Sequence, residues 1–236
     1  MRRLPYLCAL AVFTTACSTA GAQAPSAPVA PPAAFQIPPS RFVVVLDAAH
    51  GGDDLGGRFS DGQPEKAFTL AFSVRLRSLL AARGIQVVTT RESDETVDLD
   101  RRAAIANRAN AQACLSLHGS ESGAGVHLFV SSLAPAQPMR FTPWKTAQAA
   151  SVTRSLALAG ALNSALLQAG MNVTLGRTAL LAVDSMTCPA VAVEIAPERG
   201  PGKKVTAGLD DSDYQARVAG ALAAALLEWR SEGRQP

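Results

Sequence analysis

The sequence predicts an α/β fold: a three-layer sandwich in which helices flank a mostly parallel, twisted central sheet. Two observations support this fold. From residue 41 to the end of the chain, short apolar or β-branched runs alternate with longer segments of helical periodicity. Several of these runs are continuously apolar, as expected of strands that are buried on both faces of a parallel sheet. Alternating strands and helices of this kind are typical of domains with a parallel sheet.

The first part of the predicted domain contains three strands and two helices. Its strands are short apolar or β-branched runs bounded by polar or turn-forming residues. They are residues 42–46, 85–90 and 113–117. Between the first two, the apolar residues of segment 66–83 recur at helical spacing, and Gly84 follows as a C-cap. Segment 99–109 predicts the second helix.

The second part of the domain continues the same alternation. Its predicted strands are residues 126–130, 178–183 and 190–195. The segment 151–169 is rich in Ala and Leu and predicts a long helix that Gly170 ends. Segment 212–230 predicts the last helix, with Asp210 and Asp211 at the positive end of its dipole.

The N-terminal residues indicate export. Residues 1–22 contain two arginines, then an apolar stretch, then small residues, which is the layout of a secretory signal peptide. Residues 23–40 are rich in Pro and Ala and predict an extended tether. We therefore expect an exported protein in the periplasm or cell envelope, with a folded domain at residues 41–232. Cys17 follows small residues, so lipid anchoring through it is an open alternative.

The net charge of the chain bears on whether it binds nucleic acid. The formal net charge is +3, and it falls when residues 1–22 are removed, because they hold two arginines and no acidic residue. Such a balance gives no indication of nucleic acid binding.

Cys114 and Cys188 are the two cysteines of the expected domain. A disulfide and two buried thiols are both compatible with their apolar surroundings.

Ionisable residues lie at the ends of three predicted strands. His50 follows the first, His118 ends the third, and Glu194 lies near the end of the last. Because the carboxyl ends of parallel strands meet at one edge of a sheet, we expect these side chains to lie together. Glu65, at the start of the first helix, can face the same edge. Two imidazoles and one carboxylate, with a fourth position left to water, form the ligand set of a catalytic zinc ion.

Several segments carry a resemblance to a known family. They are LDAAHGGDDLGG, the Glu65-Lys66 pair at the head of a helix, VVTTRESDETVDLDRRAAIANRANA, LSLHGS, GVHLFV and CPAVAVEI. In this order they resemble the zinc-dependent N-acetylmuramoyl-L-alanine amidases of the Amidase_3 type, over most of residues 42–230. The resemblance implies that His50, Glu65 and His118 bind zinc, that Glu194 is the catalytic glutamate, and that the domain is a monomer.

The resemblance also implies the reaction. The substrate would be peptidoglycan, cut at the amide between N-acetylmuramic acid and the L-alanine of the stem peptide. Zinc lowers the pKa of a bound water to about 7, and Glu194 would move that water's proton to the departing nitrogen. An activator protein, of unknown identity, is a further expectation. Two alternatives stay open: another zinc peptidase acting on cell-wall peptides, and an inactive domain that binds the cell wall.

Two further residues are candidates for a role beside the metal. Asp47 either orients His50 or is an exposed carboxylate at a strand end. His127 lies within GVHLFV, at a strand position where the family commonly has Glu. It is either a structural histidine or a hydrogen-bonding partner of a ligand or substrate.

The remaining expectations concern the scaffold and access to the site. Arg91 and Arg102 are expected to pair with acidic residues, and Glu198 to be exposed in a loop. Segment 131–150 contains three prolines and no helical stripe, so we expect no helix that plugs the site, which would be open to solvent. Trp144 and Phe141, in this segment, either contact the cell wall or pack on the domain.

Overall fold

The computed structural model describes residues 41–137 and 143–233. The predicted signal peptide with Cys17, the predicted linker at residues 23–40, and Phe141 lie outside the described residues. In the described ranges, no helix combines the length and the apolar character needed to cross a membrane.

The described residues form a mixed, mostly parallel six-stranded sheet in the order β2-β1-β3-β6-β4-β5. The strands are β1 (Val43–Ala48), β2 (Gln86–Thr89), β3 (Ala113–Gly119), β4 (Val126–Ser131), β5 (Val173–Thr178) and β6 (Ala190–Ile195). Strands β2, β1, β3 and β6 are parallel. Strand β4 pairs antiparallel with β6, and β5 is parallel to β4. A small hairpin, β7 (Glu198–Arg199) and β8 (Val205–Ala207), follows.

In the part of the chain that the structure describes, four α-helices cover the two faces of the sheet. They are α1 (Glu65–Ala81), α2 (Leu99–Arg108), α3 (Val152–Gln168) and α4 (Ser212–Glu232). One face packs against α1, α3 and α4 in a large apolar core that includes Leu46, Leu115 and Val193. The other face packs against α2 and the short turn Val183–Ser185, in a smaller cluster. The predicted three-layer α/β fold is thus confirmed.

A disulfide between Cys114 and Cys188 joins β3 to the segment that precedes β6. Both residues are buried in the smaller cluster, beside Val45 and Ala190. Of the two alternatives that the sequence left open for these cysteines, the structure contains the disulfide.

The strand predicted at residues 178–183 is wrong. The fifth strand is Val173–Thr178, and the chain after it forms the short turn Val183–Ser185. Strand β5 lies at the edge of the sheet and is mostly exposed, so its sequence lacks the apolar run that marked the inner strands. The apolar residues that suggested a strand include Leu181, which is 75% exposed.

Candidate metal centre

Three strands bring their ionisable residues to one edge of the sheet, as predicted. His50 follows β1 by two residues, and His118 and Glu194 lie directly opposite each other in the parallel pairing of β3 with β6. The chain turns sharply after β1, where His50 has a φ of 63° and Gly51 a φ of 131°. This turn directs the imidazole of His50 towards the start of α1, where Glu65 lies.

Glu65 lies between the two imidazoles. Its Oε2 is 3.1 Å from Nε2 of His50, and its Oε1 is 3.1 Å from Nδ1 of His118. The three residues offer ligand atoms that all lie within 4.8 Å of one another. Two ring nitrogens and a carboxylate oxygen that face a common point are the donor set of a catalytic zinc ion. The residues therefore fit such an ion.

The electrostatics of Glu65 favour its charged form. Burial opposes ionisation, but hydrogen bonds from His118 and His50 and from two backbone N–H groups outweigh it and hold the pKa of Glu65 well below its usual range. The backbone donors are Gly57, at 2.9 Å, and Gly119, at 3.1 Å. A carboxylate that stays ionised is ready to bind a cation.

Asp54, which was not among the residues predicted from the sequence, contacts the imidazole of His50. Nδ1 of His50 lies 2.9 Å from Oδ2 of Asp54, while Nε2 faces Glu65. A carboxylate on one ring nitrogen fixes the orientation of an imidazole whose other nitrogen binds metal. The signal in the sequence is the pair Asp53-Asp54 in the glycine-rich turn, but nothing there distinguishes the two carboxylates.

Asp47 has neither of the two roles that were predicted for it. It is buried, and it accepts hydrogen bonds from Thr90 Oγ1, Arg102 Nη1 and Ser116 Oγ, at 2.7, 2.7 and 2.8 Å. The alternation of side chains along β1 turns Asp47 towards α2, away from His50. Ser116 Oγ in turn lies 3.5 Å from Nε2 of His118. Ser116 thus links Asp47 to the imidazole of His118 and not to that of His50.

Of the predictions for three scaffold residues, one is confirmed and two are wrong. Arg102 pairs with Asp47, as expected. Arg91 pairs with no acid in the described residues: its guanidinium donates to Thr69 Oγ1 and to backbone carbonyls near the turn after β1. Glu198 is not exposed in a loop; it lies part-buried in β7 and forms an ion pair of 2.7 Å with Arg217.

His127 contacts the carboxylate of Glu194. The two residues are directly opposite each other in the antiparallel pairing of β4 with β6, and Nδ1 of His127 lies 2.9 Å from Oε1 of Glu194. The side chain of Glu194 is 31% exposed and that of His118 is 35% exposed. Solvent can reach both.

Segment 131–150 lies away from these residues in its described parts. Strand β4 runs antiparallel to β6, so the chain leaves it at the opposite edge of the sheet from the two histidines. There Gln148 donates to the carbonyls of Met186 and Cys188, just before β6 begins. Trp144, at this far edge, is 48% exposed.

The chain has relatives of known activity and structure. It is 36% identical over 94 residues to N-acetylmuramoyl-L-alanine amidase AmiA of Escherichia coli, a match that covers 38% of this chain and 32% of that protein. An N-acetylmuramoyl-L-alanine amidase of Mycobacterium tuberculosis is 28% identical over 172 residues, which are 71% of this chain and 69% of the relative. The chain thus spans about a third of the first of these relatives.

The fold is shared with a solved amidase structure. The catalytic domain of CwlV, an N-acetylmuramoyl-L-alanine amidase from Paenibacillus polymyxa, superposes with a TM-score of 0.62 at 26% identity, covering 80% of this chain and 98% of that domain. Residues 44–228 match the family described as N-acetylmuramoyl-L-alanine amidase, Amidase_3. Because this match covers well over half of the sequence, the chain belongs to the Amidase_3 family.

Proposed function

We propose that this protein is a zinc-dependent amidase of peptidoglycan, which hydrolyses the bond between N-acetylmuramic acid and the L-alanine of the stem peptide. One observation carries the proposal: in a member of this family, His50, Glu65 and His118 hold three ligand atoms within 4.8 Å of one another. The solvent-accessible carboxylate of Glu194 lies on the strand next to His118.

The proposed metal ligands are His50 Nε2, a Glu65 carboxylate oxygen and His118 Nδ1, the atoms that face one another. A zinc ion bound there would activate water and polarise the carbonyl of the scissile amide. The chain's own contribution is to keep these donors in place. Asp54 orients His50, and the backbone N–H groups of Gly57 and Gly119 donate to the carboxylate of Glu65.

Glu194 is the proposed general base and acid. Its Oε1 is hydrogen bonded to His127, so Oε2 is the oxygen left for proton transfer. It would take a proton from the attacking water and deliver it to the nitrogen of the departing L-alanine. An amide nitrogen is a poor leaving group unless it is protonated, so both halves of this transfer are required.

We also propose that the protein acts outside the cytoplasm. The buried disulfide between Cys114 and Cys188 supports this, because structural disulfides form and persist in oxidising compartments. The signal peptide at residues 1–22, a lipid anchor at Cys17, a monomeric state and an activator protein stay predictions from the sequence.

A digest of purified peptidoglycan tests the activity. We expect mass analysis to find stem peptides with a free L-alanine amine, and their release to stop when a chelator removes the metal and to resume when zinc is added. Loss of terminal D-alanine instead would indicate a zinc peptidase. Binding of peptidoglycan without any product would indicate an inactive wall-binding domain.

A further inference from the structure

We propose that His127 is the positioning residue of Glu194: by donating a hydrogen bond from Nδ1, it holds the carboxylate in the orientation needed for proton transfer. This inference rests on the proposed function, because it assigns a role to the residue beside the general base. It starts from the contact of 2.9 Å between Nδ1 of His127 and Oε1 of Glu194.

The strand register places three side chains in one row. His118 on β3, Glu194 on β6 and His127 on β4 are paired across neighbouring strands. Residues that are directly opposite each other in neighbouring strands project from the same face of a sheet. Glu194 therefore lies between a proposed metal ligand on one side and His127 on the other. A group at this position can set the direction of the carboxylate without touching the metal.

The imidazole of His127 has little freedom to turn away. Gly123 packs against it so closely that a Cβ at that position would lie 2.2 Å from Cε1 of the ring. Phe129 contacts the ring edge-on, at 6.4 Å between centroids. The side chain of His127 is 15% exposed, about half the value for Glu194. The more buried and more closely packed partner of the pair is thus the histidine, as a positioning role requires.

Within residues 41–137 and 143–233, Nδ1 of His127 is the one hydrogen-bond partner of the Glu194 side chain. Without it, the carboxylate could rotate about its side-chain bonds, because no other hydrogen bond in these residues holds it. A carboxylate with one oxygen held and the other accessible is oriented for proton transfer. Donation to Glu194 requires a proton on Nδ1 of His127.

Two variants of His127 separate positioning from a structural role. In His127→Leu the donor is lost, and we expect kcat to fall by about 10- to 100-fold while KM stays within about twofold. In His127→Asn the side-chain amide retains a donor close to the position of Nδ1, and we expect kcat within about threefold of the parent protein. Thr174 lies beside His127, on β5. Thr174→Val is therefore the control, because it changes a side chain on the same face of the sheet and leaves the contact with Glu194 in place.

The kinetic outcomes decide between the explanations. Equal losses in the Leu and Asn variants, or a higher KM with an unchanged kcat, would overturn the proposal in favour of packing or substrate contact. An unchanged kcat in His127→Leu would also overturn it. If the parent protein itself releases no stem peptide, the proposed function fails, and the positioning role fails with it.

A spectroscopic measurement tests the contact independently of activity. The chain has three histidines, so the imidazole nitrogens give three sets of NMR signals. We expect Nδ1 of His127 to carry a proton, and this preference for Nδ1 over Nε2 to weaken in Glu194→Ala, with His50 and His118 little changed. A His127 tautomer that is the same in both proteins would contradict the contact on which the inference rests.

Discussion

Oδ2 of Asp54 lies 2.9 Å from Nδ1 of His50, on the side of the imidazole away from Glu65. The ring thus bridges two carboxylates, one at each nitrogen. The contact with Asp54 fixes the direction of the imidazole and favours a proton on Nδ1, which leaves Nε2 to bind a metal.

Asp54 should therefore affect metal affinity. We expect Asp54→Ala to raise the zinc dissociation constant by about 10- to 100-fold, because His50 loses the group that orients it. Competition with a chromophoric chelator would measure this. Asp53→Ala is the matched control, since Asp53 is exposed and its carboxylate contacts neither imidazole. Equal affinities in both variants would contradict the role of Asp54.

Glu65→Gln and Glu194→Gln should both lower activity but should differ in zinc content. Glu65→Gln removes a proposed ligand, so we expect the purified protein to lose both zinc and activity. Glu194→Gln removes the proposed general base, so we expect normal zinc content and a kcat reduced by about 10²- to 10⁴-fold. Elemental analysis and a muropeptide digest measure the two properties. Loss of zinc in Glu194→Gln would identify it as a ligand instead.

Zinc binding should weaken as the pH falls. The hydrogen bond that His50 donates to Glu65, with a smaller contribution from the one to Asp54, outweighs burial and raises the pKa of His50 above 6.5 in the metal-free protein. As the pH falls, protons therefore begin to compete with zinc for Nε2 of His50 at a higher pH than they would at an ordinary imidazole. When zinc binds at a pH above the raised pKa, His50 should release almost no protons. When zinc binds at a pH below it, His50 should release close to one proton for each zinc ion bound.

Calorimetry in buffers with different ionisation enthalpies measures that proton release. In Asp54→Ala, which lacks one of the groups that raise the pKa of His50, we expect the onset of proton release to move to lower pH. An affinity that is independent of pH between about 5 and 8 would contradict the prediction, because neutral histidine is the form that binds metal.

The disulfide should stabilise the fold without taking part in the reaction. It closes a loop with a sequence separation of 74 residues. We expect Cys114→Ala with Cys188→Ala to lower the free energy of unfolding by about 2–4 kcal/mol, as measured by urea denaturation. Zinc content and kcat should stay near those of the parent below the unfolding transition, because both cysteines lie in the core on the α2 side. A large loss of kcat in the folded variant would contradict this.

The fold and the meeting of the candidate metal ligands could be predicted because they depend on local patterns. Continuous apolar runs marked β1, β3 and β6, and the rule that parallel strands end at one edge then placed His50, His118 and Glu194 together. Strand β5 could not be found in this way. An edge strand buries little of its surface, so its sequence carries no apolar run.

What the sequence by itself determined is which residue types stand at the ends of its buried strands, and hence that two imidazoles and two carboxylates meet. Only the tertiary structure decided how they are paired. Asp54 rather than Asp47 contacts His50, Arg91 holds carbonyls rather than an acid, and His127 contacts Glu194. The physical reason is that a difference of a few tenths of an ångström in distance decides whether two groups form a hydrogen bond. Strand register and turn geometry set that distance, and the pattern of apolar and polar residues does not.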